Sequence, residues 1–404
     1  MKEQSVKGDL GESASVVCVG ERKKKKQMEF QRSDSSSSPP TPNNADPKKN
    51  TCSDPMHSWW ESVSKARSRI HALAAILPSS SSDSLSSLAD SDRPALSLLS
   101  SPAAYSAVSS SLSGSHFDPL CHWLYDTFLS SDPHLRLVVL SFVPLLAGLY
   151  LSRIHSPEPP SLAGFEAVLL ALYAAETKSR NGKPLVVTIP DLSHPSIYHA
   201  PLRKPQTLTL ITPPSVGLIS PPLEPQLGVK STKRASIVGV ALHSFFSQIS
   251  HMPAWSKLHF CQFAAAWAGG ASHCPCRNEL DRDGEIVGEI NDFANTFEIR
   301  DDTEGKGERI PLPWEILQPS LRILGHCLLG PLNSQDVKDA ASFAVRCLYA
   351  RASHDLVPQA ILATRSLIQL DVRTREAAKT NAATNSNANT PTKAKKPEIL
   401  LVSK

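Results

Sequence analysis

Residues 188–201, TIPDLSHPSIYHAP, gather Asp191, Ser193, His194, Ser196, Tyr198 and His199 between Pro190, Pro195 and Pro201. These are the residue types of a nucleophile–base–acid relay. A relay needs its side chains aimed at one another beside an oxyanion site, and its members usually come from separate elements rather than from one short segment. The prolines hold the backbone extended, so consecutive polar groups splay apart. The segment therefore reads as a structural brace carried by Ile189, Pro190, Leu192, Pro195, Tyr198, His199 and Pro201, with Ile189, Leu192, Ile197 and Tyr198 inserting into a helical layer.

Two other clusters have chemical potential. His273, Cys274 and Cys276 in ASHCPCRN are soft metal ligands at close spacing. Structural zinc takes four ligands, usually from paired knuckles, and this triplet lacks a second pair. It reads as a helix end turned by Gly269, Gly270 and Pro275, with no metal. KRASIV, residues 233–238, places basic residues ahead of Ser236 at the exit of a proline-rich loop, a pattern suited to phosphorylation by a basophilic kinase. Phosphate-cradling GxxxxGK[ST] and GxGxxG loops, HExxH and the GxSxG elbow do not occur. The expectation is a non-catalytic chain without a cofactor.

Composition narrows the class further. The chain has 404 residues, 41% hydrophobic, with a net charge of +4. Its densest basic runs, Arg22–Lys26 and Lys393–Lys396, lie outside the apolar segments, which argues against a folded nucleic-acid-binding face. The opening MKEQSVKGDLGES lacks the apolar core of a secretory signal, and the eight cysteines are scattered. A reducing, cytoplasmic setting follows, with buried free thiols at Cys121, Cys261, Cys327 and Cys347. The run Leu137–Leu151, LVVLSFVPLLAGLYL, is shorter than the ~20 residues of a bilayer-spanning helix and contains Pro144, so it reads as a core helix.

The elements that must position these residues are mainly helical. Residues 1–54 form a polar, lysine- and serine-rich tail expected to be disordered. A helix then starts at Pro55, capped by Ser53 or Asp54, with Trp59, Val63, Ile70, Leu73 and Leu77 as its apolar stripe, and ends at Pro78. Residues 79–115 are nearly half serine and read as a linker holding one or two short helices. Asp118-Pro119 and Asp132-Pro133 each announce a helix start, and SLAGFEAVLLALYAAETKSRNGK stops at Asn181-Gly182. PLVVTIP, residues 184–190, is the best strand candidate. Residues 203–235 and 277–309 read as loops, and helices resume from Ser236. The predicted fold is an irregular multi-helix domain over residues 55–373 with a small β element, followed by a disordered tail at 374–404.

This order of features resembles the hyccin family. PLCHWLYDTFLSSDPHLRL, FVPLLAGLYL, GFEAVLLALYAAE and above all VVTIPDLSHPSIYHAP carry the resemblance, together with the helix pair after PLN. It spans roughly residues 57–372, and the serine-rich and acidic insertions are similar to those of plant members. The resemblance implies an adaptor in a type III phosphatidylinositol 4-kinase alpha complex, alongside a tetratricopeptide-repeat scaffold of the no-pollen-germination family and a membrane-anchoring subunit. It further implies peripheral recruitment to the plasma membrane, in support of phosphatidylinositol 4-phosphate synthesis. The competing readings are an unrelated helical adaptor and a zinc-dependent binding module.

Two further expectations concern particular residues. After Ser334, Val337, Ala341 and Leu348 share one helical stripe, and after Pro358, Ile361 and Ile368 share another. Both belong to a hairpin whose apolar surface is expected, in part, to contact the scaffold that the resemblance implies, with a wholly internal, core role for the same positions as the equal alternative. Tyr198 is expected to pack beneath the helices, so Tyr198→Ala should lower stability by ~2–4 kcal/mol, as for other large buried side chains. An unchanged melting curve for Tyr198→Ala would remove the brace.

Overall fold

The computed structural model describes residues 55–156, 161–189, 215–269 and 310–387. Helix α1 runs Pro55–Ile76, and three short helices follow: α2 (Ser79–Ala89), α3 (Pro94–Ser100) and α4 (Pro102–Ser111). Then come α5 (Pro119–Leu129), α6 (Pro133–Ser141), α7 (Val143–Ile154) and α8 (Ala163–Arg180). Strands β1 (Leu185–Ile189) and β2 (Ser215–Ser220) pair antiparallel, from Leu185 opposite Ser220 to Ile189 opposite Ser215. The chain continues with α9 (Ser231–Ser247), a 3-10 turn at Ile249–His251 and α10 (Ala254–Trp267). Finally α11 (Trp314–Leu329), α12 (Gln335–His354) and α13 (Pro358–Asn387) complete the described helices.

One continuous apolar core runs from Ile70 in α1 to Ile368 in α13. Helix α1 packs on α2, α3 and α5; α8 lies between α5 and α9; α9 packs on α11; and α12 is wedged among α10, α11 and α13. The stripe foreseen in α1 is buried at Val63, Ile70, Leu73 and Leu77, but Trp59 is half-exposed because the core begins only at Val63. The serine-rich stretch holds three helices rather than one or two. Leu85, Leu98, Leu99, Tyr105 and Val108 are buried, while the serines from Ser84 onward are exposed or half-buried, and Ser101 caps α4 by accepting from Ala104 N at 3.2 Å.

The run 137–151 is buried, as expected, but is two helices rather than one. Pro144 falls in the first turn of α7, where its missing N–H costs nothing, and Phe142 marks the break. The Ser141 carbonyl at the end of α6 accepts from the buried Ser256 hydroxyl of α10 at 2.6 Å. By length and composition alone the span Pro133–Ile154 could cross a bilayer, yet 72% of its 18-residue apolar window is buried inside the helical layer.

Three further boundaries differ from expectation. Residues 215–220, read as loop, are a strand because their alternation pairs with β1, and α9 begins at Ser231, ahead of Ser236. The C-terminal helix continues past Arg373 to Asn387, since its alanine-rich continuation propagates an established helix with little cost. Ile189 does not insert into the helices. It is half-exposed, as are Val186, Val187, Val216 and Leu218, because the ribbon stands away from the core. Residues 203–214 of the first loop, the 277–309 loop, and both tails, before residue 55 and after residue 387, lie outside the described residues.

The cap of α5 ties several of these elements together. Asp118 is buried, and its Oδ1 accepts from Leu120 N at 2.8 Å. Its Oδ2 accepts from Ser113 N at 2.7 Å, Ser113 Oγ at 2.9 Å and Gly114 N at 2.6 Å. Gly114 takes a φ of 77°, and a Cβ there would lie 2.2 Å from the Phe165 ring of α8. Its carbonyl accepts from Gly164 N at 3.1 Å. Arg153 of α7 donates to the Ser113 carbonyl and lies 5.6 Å from the Phe165 ring centroid. Asp132 repeats the device at α6, accepting from His134 N and Leu135 N while Ser62 of α1 donates to its second oxygen.

Burial would raise the Asp118 pKa, but the hydrogen bonds from Gly114, Ser113 and Leu120 outweigh it and hold the carboxyl below its ordinary value. Asp118 thus adds stability that is present above the unfolded carboxylate pKa and is lost as pH falls through the folded one. Asp118→Ala should cost more than the ~0.5–2 kcal/mol of an ordinary cap, because two further amides lose their acceptor. Urea midpoints measured from neutral to acid pH check this: the variant should be less stable at neutral pH, and the gap should close on acidification.

Candidate docking surface

The hairpin foreseen from sequence exists, with α12 and α13 packed against each other and α11 behind both. It presents a different face from the one expected. Val337, Ala341, Leu348 and Ile368 are buried within the chain itself, and Ile361 is half-buried against the core. A second helix alone leaves part of an apolar stripe exposed; here α10 and α11 close over the hairpin as well, so those side chains are core positions. The outward apolar groups are Leu356, Leu362 and Leu370, at 80%, 69% and 42% exposure. Sequence reasoning missed them, although Leu362 and Leu370 lie eight residues apart, off the stripe of Ile361 and Ile368, and so on the opposite side of α13.

Buried polar joints fix the hairpin's register. Ser342 donates to Asp371 Oδ2 at 2.7 Å, Arg375 Nε donates to Asp371 Oδ1 at 2.9 Å, and Arg375 Nη2 reaches Asp339 Oδ1 at 2.6 Å. Burial lowers the Arg375 pKa, but the hydrogen bonds to Asp339 and Asp371 win and raise it, so the joint is an ion pair across the neutral range. Asn333 closes α11 by donating to the His326 carbonyl at 2.7 Å and the Cys327 carbonyl at 3.0 Å, and its own carbonyl accepts from the buried Lys257 ammonium at 3.0 Å. Leu356, in the turn after α12, takes the left-handed φ of 51°.

The titratable groups of the interior are tuned away from reactivity. Burial pushes the Cys121 and Cys261 thiols up and holds His243, His259 and His326 below the ordinary histidine value, so the thiols stay protonated and the imidazoles neutral at pH 7. Tyr150 donates to Glu166 Oε1 and accepts from Arg234 Nε, both at 3.0 Å, and burial pushes its hydroxyl up to about 12. Cys121, Cys261 and Cys327 are buried and Cys347 is half-buried, and none of the four is in a disulfide. No group of three or more metal-ligating side chains occurs among the described residues.

The other sites proposed from sequence fare variously. Ser236 does not sit at a loop exit: it lies in the second turn of α9 and is half-buried, because the helix starts five residues before it. Of the brace, only Ile189 is described; Pro190, Leu192, Pro195, Tyr198, His199 and Pro201 lie outside the described residues, as do His273, Cys274 and Cys276.

The helical core, its paired aspartate caps and the C-terminal hairpin can be set against known families. The family profile described as Hyccin matches residues 89–403, which takes in the described chain from the end of α2 through α13. With most of its length matched, including all the helices that build the hairpin and its buried joints, the chain belongs to the hyccin family.

Proposed function

We propose that this chain is a non-catalytic adaptor subunit of a type III phosphatidylinositol 4-kinase alpha complex. In this reading it joins a tetratricopeptide-repeat scaffold of the no-pollen-germination type and a membrane-anchoring subunit, and it supports phosphatidylinositol 4-phosphate synthesis. It resides in the cytoplasm and is recruited peripherally to the plasma membrane. The observation that carries the reading is the hyccin match over the helical core. Helix-on-helix packing and an interior of protonated thiols and neutral imidazoles support an adaptor, since neither offers an activated nucleophile.

A scaffold built of helix pairs extends by stacking another pair on its end, and α12 with α13 is such a pair. Its outer leucines, Leu356, Leu362 and Leu370, are the apolar groups such a contact would cover.

Affinity purification with mass spectrometry should recover the scaffold and the kinase together. Leu362→Asp combined with Leu370→Asp should abolish scaffold co-precipitation while helical circular dichroism and melting temperature stay unchanged, because only the complex would bury the new charges. Leu348→Asp should instead unfold the chain, since an unpaired carboxylate cannot be solvated in the core. Recovery of the scaffold by the doubly substituted chain would move the contact to another face.

A further inference from the structure

Helix α1 begins outside the core. Residues 56–61 are all exposed, and the first buried side chain is Val63. Met56, Trp59, Trp60 and Val63 follow the spacing i, i+3, i+4, i+7, so they continue the same apolar stripe that Ile70 and Leu73 bury further along. The stripe runs past the end of the protein's own core. Met56 is 68% exposed, Trp59 50% and Trp60 59%, with the two indole centroids 6.1 Å apart and their planes tilted by 48°. Trp59 also rims the groove between α1, α3 and α6, which Lys65, Arg93 and His134 line together with Glu61, Asp92 and the capping Asp132.

We infer that this end of α1 inserts Met56, Trp59 and Trp60 into the interface of an anionic phospholipid bilayer. Three features select a lipid surface over a protein partner. Three half-exposed side chains of this size offer roughly 300–400 Å² of apolar surface. That is well below the ~800 Å² that each partner of a stable protein complex buries, yet it suits shallow insertion. Tryptophan is the side chain best matched to the headgroup boundary, where the ring is buried and its N–H stays hydrated. The tail ahead of α1 carries the basic run Arg22–Lys26, and Lys48-Lys49, flanked by Asp46 and Asp54, lie a few residues before the helix. The nearest acidic group within α1, Glu61, is paired with Lys65 Nζ at 2.8 Å, which offsets its repulsion from an anionic surface.

Stable attachment takes two signals. The lysine runs add a salt-screened electrostatic attraction to an anionic leaflet, and the tryptophan pair supplies the apolar component that the basic tail lacks. The inference rests on α1 and the preceding segment alone and does not depend on membership of the kinase complex.

The test is flotation of the purified full-length chain with phosphatidylcholine vesicles and with vesicles that also contain phosphatidylserine. The chain should float with the anionic vesicles, less at high salt, and little with the neutral ones. Trp59→Glu with Trp60→Glu should weaken partitioning roughly tenfold or more, equivalent to about 1.4 kcal/mol or above. Both rings stand outside the core, so the variant should keep its circular dichroism and melting temperature. Replacing Lys23, Lys24, Lys25 and Lys26 by Gln should weaken binding at low salt only. Partitioning that ignores the tryptophan substitutions, or a wild-type chain that stays with vesicle-free fractions, would overturn the inference. Loss of scaffold capture by the tryptophan variant, with no vesicle binding by wild type, would make α1 a protein-docking face and also overturn it. Because the assay contains no partner protein, its failure leaves scaffold co-precipitation as a separate measure of the proposed function.

Discussion

A buried carboxylate needs all of its lone pairs answered, and Asp118 shows how far that requirement reaches in this fold. Four donors converge on it from Ser113, Gly114 and Leu120, so the turn between α4 and α5 has a single acceptable path. That path brings the Gly114 backbone onto Phe165, where no side chain fits, and delivers the Gly114 carbonyl to Gly164 at the start of α8. Arg153 then covers the same turn from α7. The positions of α5, α7 and α8 are thus linked through one side chain. Asp132 extends the arrangement to α1 through Ser62.

The same logic recurs at the other end of the domain with opposite charge balance. Arg375 is shared between Asp339 and Asp371, and Lys257 is held by Asn333, so each buried ionic group sits in a hydrogen-bonded setting. Such joints add little net stability compared with apolar packing, but they penalise any slip of α13 along α12 because a slip would strand a charge. A helix pair whose inner face is locked in this way presents its outer leucines in a fixed arrangement. Preorganisation of that kind lowers the ordering cost of association.

Two exposed apolar features, the outer leucines of α12 and α13 and the tryptophan end of α1, lie outside the internal core. They lie on elements at opposite ends of the described chain. An adaptor that meets a helical scaffold at one and a lipid surface at the other would use two surfaces that do not compete for the same residues.

Helix starts and stops were written in the sequence because their causes are local. Asp118-Pro119 and Asp132-Pro133 cap and start helices within a few residues of themselves, and Asn181-Gly182 supplies the left-handed turn that ends α8. The helical class of the fold, the burial of Cys121, Cys261 and Cys327 and the existence of a C-terminal hairpin follow from the same short-range signals and from apolar periodicity. Tertiary structure alone decided which side of each periodic stripe is covered. Leu348 and Ile368 read from sequence as equally fit for core or interface, and α10 and α11 made them core, while Trp59 read as core and was left uncovered. The break at Phe142 and the strand at Ser215–Ser220 were hidden for a related reason. A donor from α10 satisfies one, a pairing with β1 creates the other, and both partners are remote in the chain. Periodicity records that a face is apolar; only the arrangement of neighbours determines what lies against it.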